Sequence, residues 1–176
     1  MRSGAFELHH GRVKASTFLV DMNRIFEDFV VTALREALGT TERSFPQGAK
    51  GRRLFLDQSC EVRLEPDISW WVGDSCVFLG DVKYKEVGAA GIEHSDLYQL
   101  LSYVVAADLP GGLLIYGAGG REPVVHTVAH AGKRLEVKAL DLTASPERIL
   151  QQVGRLADKV RRVRDAHLAQ GEASVG

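Results

Sequence analysis

Residues 65–85, EPDISWWVGDSCVFLGDVKYK, hold the side chains whose types and spacing suit chemistry. Asp67 follows Pro66 at the head of one β-like run, and Asp81 and Lys83 lie two apart on the next. Side chains alternate along a strand with a period of two, so Asp81 and Lys83 share a face. A hairpin that sets Asp67 beside Asp81 makes two carboxylates converge. Two carboxylates and a main-chain oxygen form a hard-oxygen site suited to Mg²⁺ or Mn²⁺. A lysine beside such a site can hold or deprotonate a metal-bound water, or stabilise phosphorane charge. Phosphodiester hydrolysis needs that combination. By itself a D-x-K is usually a solvated charge pair, and Pro-Asp an ordinary turn. The pattern is strengthened by Val77-Phe78-Leu79, which reads as a buried run leading into Asp81; a carboxylate there needs a partner or a metal.

Two further features fit. Glu27 lies on the flank of an amphipathic helix, about 100° round from Phe26, where it can reach the sheet. Gln99 and Tyr103 lie four apart on a second helix and share a face. Taken singly, the first is an exposed helix acid and the second a surface hydrogen-bonding pair. Other candidates are weaker. His94, His126 and His130 are too scattered for a zinc site, and Cys60 and Cys76 lack C-x-x-C spacing. Gly117-Ala-Gly-Gly120 lacks the lysine of a P-loop. Trp70 and Trp71 face opposite ways on a strand, one toward the core and one half-exposed.

These residues need elements to position them. Met22, Ile25, Phe26, Phe29, Val30, Ala33, Leu34 and Leu38 form a helical stripe, with Asp21 as N-cap and Gly39 as stop. Residues 1–16 show no sustained period and read as a tail or short strand, and 40–51 read as a loop. Short strands follow at Arg53–Leu56, Cys60–Leu64, Ile68–Val72 and Cys76–Lys85, spaced like an antiparallel meander. After a Gly-Ala-rich loop at 86–91, Ser95 or Asp96 caps a second helix carrying Leu97, Leu100, Leu101, Val104 and Val105. Leu113–Tyr116, Val124–Ala129 and Leu135–Leu140 read as further strands. The last helix starts at Ser145-Pro146-Glu147, with Arg155, Lys159, Arg161, Arg162 and Arg164 on its polar face; 171–176 should fray. Helices must cover a mixed central sheet, so the class is α/β or α+β.

Composition agrees with that architecture. At 176 residues, one domain with a core that needs no disulfides is expected. Hydrophobic residues at 45% and charged residues at 26% exclude wholesale disorder and fibrous classes. No apolar run is long enough to cross a membrane, and the first 20 residues lack a signal core, so a cytoplasmic, reduced protein is expected. With 22 basic and 23 acidic residues the chain lacks the basic excess common in nucleic-acid binders, though metal-binding carboxylates cancel part of a nuclease's basic surface.

The pattern P-D67-x13-D81-V-K83 matches the PD-(D/E)xK nuclease signature, and with Glu27 ahead and Q99-L-L-S-Y103 behind it resembles the RecB-like branch. The segments F18-L-V-D-M-N-R-I-F-E-D-F-V30, R63-L-E-P-D-I68, D81-V-K-Y-K85 and S95-D-L-Y-Q-L-L-S-Y103 together resemble the nuclease domain of McrC, the endonuclease subunit of modification-dependent restriction systems, over about residues 17–117. The resemblance implies a restriction-endonuclease-like core over 17–170, Mg²⁺-dependent DNA cleavage with Mn²⁺ as a substitute, and a GTP-driven McrB-type AAA+ motor as partner. It makes Asp67 and Asp81 metal ligands, Lys83 the catalytic lysine, Glu27 an aid to the metal or water, and Gln99 and Tyr103 supporting residues. Lys85 would touch phosphate. Apart from the resemblance, the basic face of the last helix and Arg43, Lys50, Arg52 and Arg53 in the first loop read most simply as solvated charge, with DNA-backbone contact as the alternative. McrC-like proteins carry an upstream domain that contacts the motor. This chain starts about 17 residues before the nuclease helix, so an excised domain or a short stand-alone relative is expected. Double-strand cutting needs two active sites, hence transient dimerisation. The rival expectation is a non-catalytic nucleic-acid-binding or assembly module on the same fold.

Overall fold

The computed structural model describes residues 5–48, 52–85, 92–117 and 123–173. The loop at 86–91, Lys50 and residues 118–120 of the glycine cluster lie outside them. The elements are α1 (Ala5–Leu38), β1 (Leu54–Phe55), β2 (Arg63–Leu64), β3 (Ile68–Val72), β4 (Ser75–Lys83), α2 (His94–Ala106), β5 (Gly111–Gly117), β6 (Val124–Thr127), β7 (Arg134–Leu140) and α3 (Pro146–Ala173). The helix α1 begins at Ala5, so the expected tail or strand is corrected over residues 5–16, as is the cap at Asp21; residues 1–4 lie outside the described residues. The sequence from 5 to 38 has no proline and a single glycine, Gly11, so nothing stops a nucleated helix from propagating toward the N-terminus. It ends where expected, at Gly39, whose φ of 67° suits a residue without a Cβ.

Five strands form a mixed sheet in the order β3-β4-β5-β7-β6. The central strands β4, β5 and β7 run parallel, while β3 and β6 pair antiparallel at the edges. Alternation along the strands builds two cores. Phe78, Val82, Leu113 and Ile115 meet Phe26, Val30 and Leu34 of α1 and Val153, Leu156 and Val160 of α3. Leu79, Leu114, Tyr116, Leu135 and Val137 meet Leu100, Tyr103 and Val104 of α2 on the opposite face. Ile25, placed in the α1 stripe by its spacing, is 58% exposed; the buried stripe is the narrower one through Phe26, Val30 and Leu34. Helix α2 lies so close to the sheet that a Cβ on Gly112 would stand 2.8 Å from Val104 and 2.9 Å from Leu100.

The strand cluster departs from a continuous meander. β1 and β2 form their own two-stranded sheet, and β2 does not pair with β3. Both are shorter than their sequence patterns, because Asp57 organises the residues between them. Its carboxylate accepts from the backbone N–H of Val62 at 2.7 Å and of Glu61 at 3.1 Å, and from Ser59 Oγ at 2.5 Å. Those bonds hold its carboxyl at about 2, below the usual range, and tie 57–62 into a broad turn.

Candidate functional site

The reactive residues gather where the parallel strands end. Antiparallel pairing sets Ile68 opposite Gly80, so one step further Asp67 faces Asp81. The pairing is held by Asp67 itself: its Oδ2 accepts the backbone N–H of Val82 at 2.8 Å. Gly80 is needed beside this junction, since a Cβ there would lie 2.6 Å from the Leu113 carbonyl oxygen of the neighbouring strand. Asp81 follows the wholly buried run Val77–Gly80 and is itself 1% exposed. Asp67 and Asp81 are close enough to hydrogen-bond to each other. They converge on the α2 face, as their strand positions predict.

Burial and like charge make this pair unstable as two anions. Asp67 is pushed up to about 8, first by desolvation and then by the charge and hydrogen bond of Asp81; Glu27 adds to the rise and the Val82 N–H opposes it. Lys83 Nζ stands 2.5 Å from Asp81 Oδ2. That oxygen nevertheless accepts no well-directed hydrogen bond and is closed to solvent, so the approach is a charge contact. Desolvation works against the Lys83 ammonium, but Asp81, then Asp67 and Asp96, outweigh it and raise its pKa.

Glu27 faces the pair without joining it. Its Oε1 accepts from Gln47 Nε2 at 3.0 Å, and the same nitrogen donates to Asp28 at 2.5 Å. Gln47 also bridges to Ile68, and the Gly48 N–H donates to the Asp67 carbonyl at 3.3 Å. The loop after α1 therefore ties Glu27 to the start of β3. Spacing gave no signal for Gln47, which lies in a stretch without period. On the other side Gln99 Nε2 donates to Tyr103 Oη at 2.9 Å, and Tyr103 donates to the Glu65 carbonyl at 3.2 Å. Burial first, then the charges of Asp81 and Asp67, raise the Tyr103 pKa.

Lys85 is engaged elsewhere. Its amine is 2.8 Å from Asp96 Oδ2 and 2.8 Å from Glu93, and Tyr116 donates to the same Asp96 oxygen at 2.5 Å. Asp96 is buried in the first turn of α2, and the helix begins at His94 after Glu93. The expected cap at Ser95 or Asp96 is thus corrected: Lys85 and Tyr116 draw Asp96 into the sheet. Arg52 bonds Asp74 and the Gly73 carbonyl at 2.7 Å each and lies 5.2 Å from the Trp71 ring centre. Arg43 and Arg53 are exposed. Trp70 is buried and Trp71 half-buried, as the alternation predicts.

The chemistry of the donors fits a divalent cation. Two crowded carboxyl groups, one held protonated by burial and by its neighbour's charge, are relieved by such an ion. Mg²⁺ takes one or two protein carboxylates and completes its shell with water and phosphate oxygens. Among the described residues no three His, Cys, Asp or Glu side chains stand together as a metal cage; Asp67 and Asp81 are the carboxyl groups in contact, and Glu27 acts on Asp67 from further off.

A mixed sheet with helices on both faces and a D-x-K strand end beside a second aspartate defines a restriction-endonuclease-like fold. The sequence matches, over residues 2–117, the family described as McrBC 5-methylcytosine restriction system component, and the chain belongs to it. Its fold is similar to a chain in the tetradecameric assembly of Thermococcus gammatolerans McrB AAA+ hexamers with bound McrC, at a TM-score of 0.53 and 17% identity over 79% of this chain. This chain spans about a third of the length of that one, 33%. No curated protein matches it. No helix of the described residues is long and apolar enough to cross a membrane.

Proposed function

We propose that residues 17–170 form a Mg²⁺-dependent DNA endonuclease domain. The convergence of Asp67, Asp81 and Lys83 at one strand end carries the reading. When bound, the metal would supply Lewis-acid activation of a phosphoryl oxygen and of water. The chain's own residues do the rest. Asp67 and Asp81 would hold the cation, with Asp67 giving up the proton that it otherwise keeps. The Lys83 ammonium, kept charged by Asp81, lies where negative charge develops on a scissile phosphate. Glu27, oriented by Gln47, would assist the metal or its water. Tyr103 and Gln99 brace the Glu65 carbonyl, two residues before Asp67, and so hold the strand that presents it. Lys85 supports α2 rather than phosphate.

The solved structure that shares this fold contains McrC bound to McrB hexamers, which supports an AAA+ motor as partner and defence against modified DNA as the setting. Double-strand cutting would bring two such sites together transiently. The test is incubation of the pure chain with plasmid and Mg²⁺ or Mn²⁺, with Asp81→Ala as control. Metal-dependent nicking lost in Asp81→Ala supports the reading. Activity equal in both proteins overturns it.

A further inference from the structure

A second region carries charge that the catalytic reading does not use. Helix α3 and strand β7 enclose a groove of about 500 Å³ on the sheet face opposite the acid pair. Arg155, Asp158, Lys159 and Arg162 of α3 line it, at helical steps of three, four and seven that form one stripe. Lys138 of β7 faces them from the sheet.

The cations of α3 divide by direction. Those turned away from the groove serve the fold: Arg161 pairs with Asp158 at 2.9 Å and donates to the Ala37 carbonyl, and Arg164 pairs with Asp165 at 2.6 Å and lies 4.3 Å from the Trp70 ring centre. Within the groove Lys159 is neutralised by Glu136. Arg155, Arg162 and Lys138 have no acidic partner among the described residues. Desolvation first, then the nearby Lys159 charge, lower the Lys138 pKa, and the Glu136 carboxylate opposes them in part. Asp158, the one acid of the stripe, is already held by Arg161.

Spacing decides what kind of anion fits. Seven residues of helix separate Arg155 from Arg162, or about 10 Å of axis. One DNA strand advances about 3.4 Å of duplex axis per phosphate, so a backbone along the helix meets Arg155 and Arg162 with different phosphates, while Lys138 approaches from the sheet. Register places the groove level with the acid pair: Lys138 lies across from Ile115, which lies across from Val82, the residue after Asp81. Two strand spacings, about 10 Å in the plane of the sheet, separate Lys138 from β4, and because the sheet lies between groove and acid pair a strand that reaches both passes around the strand ends.

We propose that the groove between α3 and β7 is a DNA-backbone track, in which Lys138, Arg155 and Arg162 grip a strand beyond the scissile phosphate. The inference rests on DNA as the substrate of the acid pair, and it accounts for how a nearly neutral chain holds a polyanion. It uses direction, which the composition hides: three cations without an ion pair line one concavity.

The test is binding of a labelled 30-base-pair duplex by the full chain without divalent metal, followed by anisotropy across a salt series. Lys138→Gln/Arg155→Gln/Arg162→Gln should weaken binding about tenfold or more and reduce the salt slope by about three contacts' worth, with unchanged circular dichroism. Arg148→Gln, an exposed cation of α3 outside the groove, should bind like the parent. Asp81→Asn should bind at least as well as the parent while losing cleavage. Parent-like binding by the triple variant, equal loss in Arg148→Gln, or no duplex binding by the parent overturns the groove. So does equal displacement by polyglutamate, which would mark an acidic protein as the occupant. Groove-dependent binding without any Mg²⁺-dependent cutting would instead sink the nuclease reading and leave the track standing.

Discussion

Two lysine–aspartate pairs sit two residues apart at the end of β4, and they are wired oppositely. Lys85 meets Asp96, Glu93 stands on its other side, and Tyr116 supplies a hydroxyl to the same Asp96 oxygen. Charges and hydrogen bonds there are met. Lys83 meets Asp81, but Asp67 adds a second carboxyl group, Glu27 a third at longer range, and Asp81 Oδ2 lacks a directed donor. The first pair fastens a helix to a sheet. The second crowds carboxyl groups until Asp67 is held protonated, a perturbation of the kind that clusters at functional sites. Residue type does not separate the two pairs; the surroundings do.

The largest expected effect breaks the contrast directly. Lys83→Ala should lower cleavage by roughly 10²–10³-fold, the usual cost of one group placed at developing charge, while the fold survives. Lys85→Ala should change cleavage only a few-fold. Rates of the two variants at matched protein and Mg²⁺ concentration check this, and an equal loss in both would erase the distinction between the pairs.

Next comes Asp96→Ala. It strands the buried Tyr116 hydroxyl, so it should destabilise the fold by about 1–3 kcal/mol. Tyr116→Phe in the same background should recover part of that loss, because the orphaned donor is gone. Urea midpoints of the three proteins decide the matter, and no recovery would mean that Asp96 acts through packing instead.

A pH series sharpens the other half. Asp67 keeps its proton to about 8 in the folded chain, against about 3.9 when unfolded. Between those values the folded state binds more protons than the unfolded one. Stability of the metal-free chain therefore falls as pH rises from about 4 to about 8, and stays low above. Asp67→Asn should flatten that slope and raise the melting temperature at high pH. Mg²⁺ should stabilise the parent and leave Asp67→Asn nearly unmoved. A parent whose melting temperature rises through that window would contradict the convergence of the carboxylates.

The smallest effect is expected from Gln47→Ala. Its amide bonds are part-exposed, so stability should drop by no more than about 1 kcal/mol. Cleavage should fall more than stability does, because Glu27 loses its orientation. Parallel small losses in both would reduce Gln47 to a loop tie.

The amino-acid sequence by itself determined the local facts. Period-two alternation puts Asp81 and Lys83 on one face, Pro66 opens the strand after Asp67, and the apolar run before Asp81 marks a strand covered on both sides. Gly39 stops the first helix, and spacing four apart joins Gln99 to Tyr103. These depend only on neighbours in the chain, so they can be read from it. Tertiary structure decided the rest. The pairing of Ile68 with Gly80 turned two separate aspartates into one acid pair. Lys85, which alternation places with Lys83, was taken out of the site by Asp96 and Tyr116 from two other elements. Asp96 has the spacing of a cap, and only its burial against the sheet shows otherwise. The six-residue turn around Asp57 shortened two strands through hydrogen bonds that no hydrophobic pattern records. The cations of α3 look alike along the helix, and their division into paired and unpaired depends on what β7, α1 and Trp70 place beside each. The physical reason is common to all these cases: a charge in a protein interior acts according to which opposite charges and donors lie within a few ångströms, and chain folding alone sets that neighbourhood.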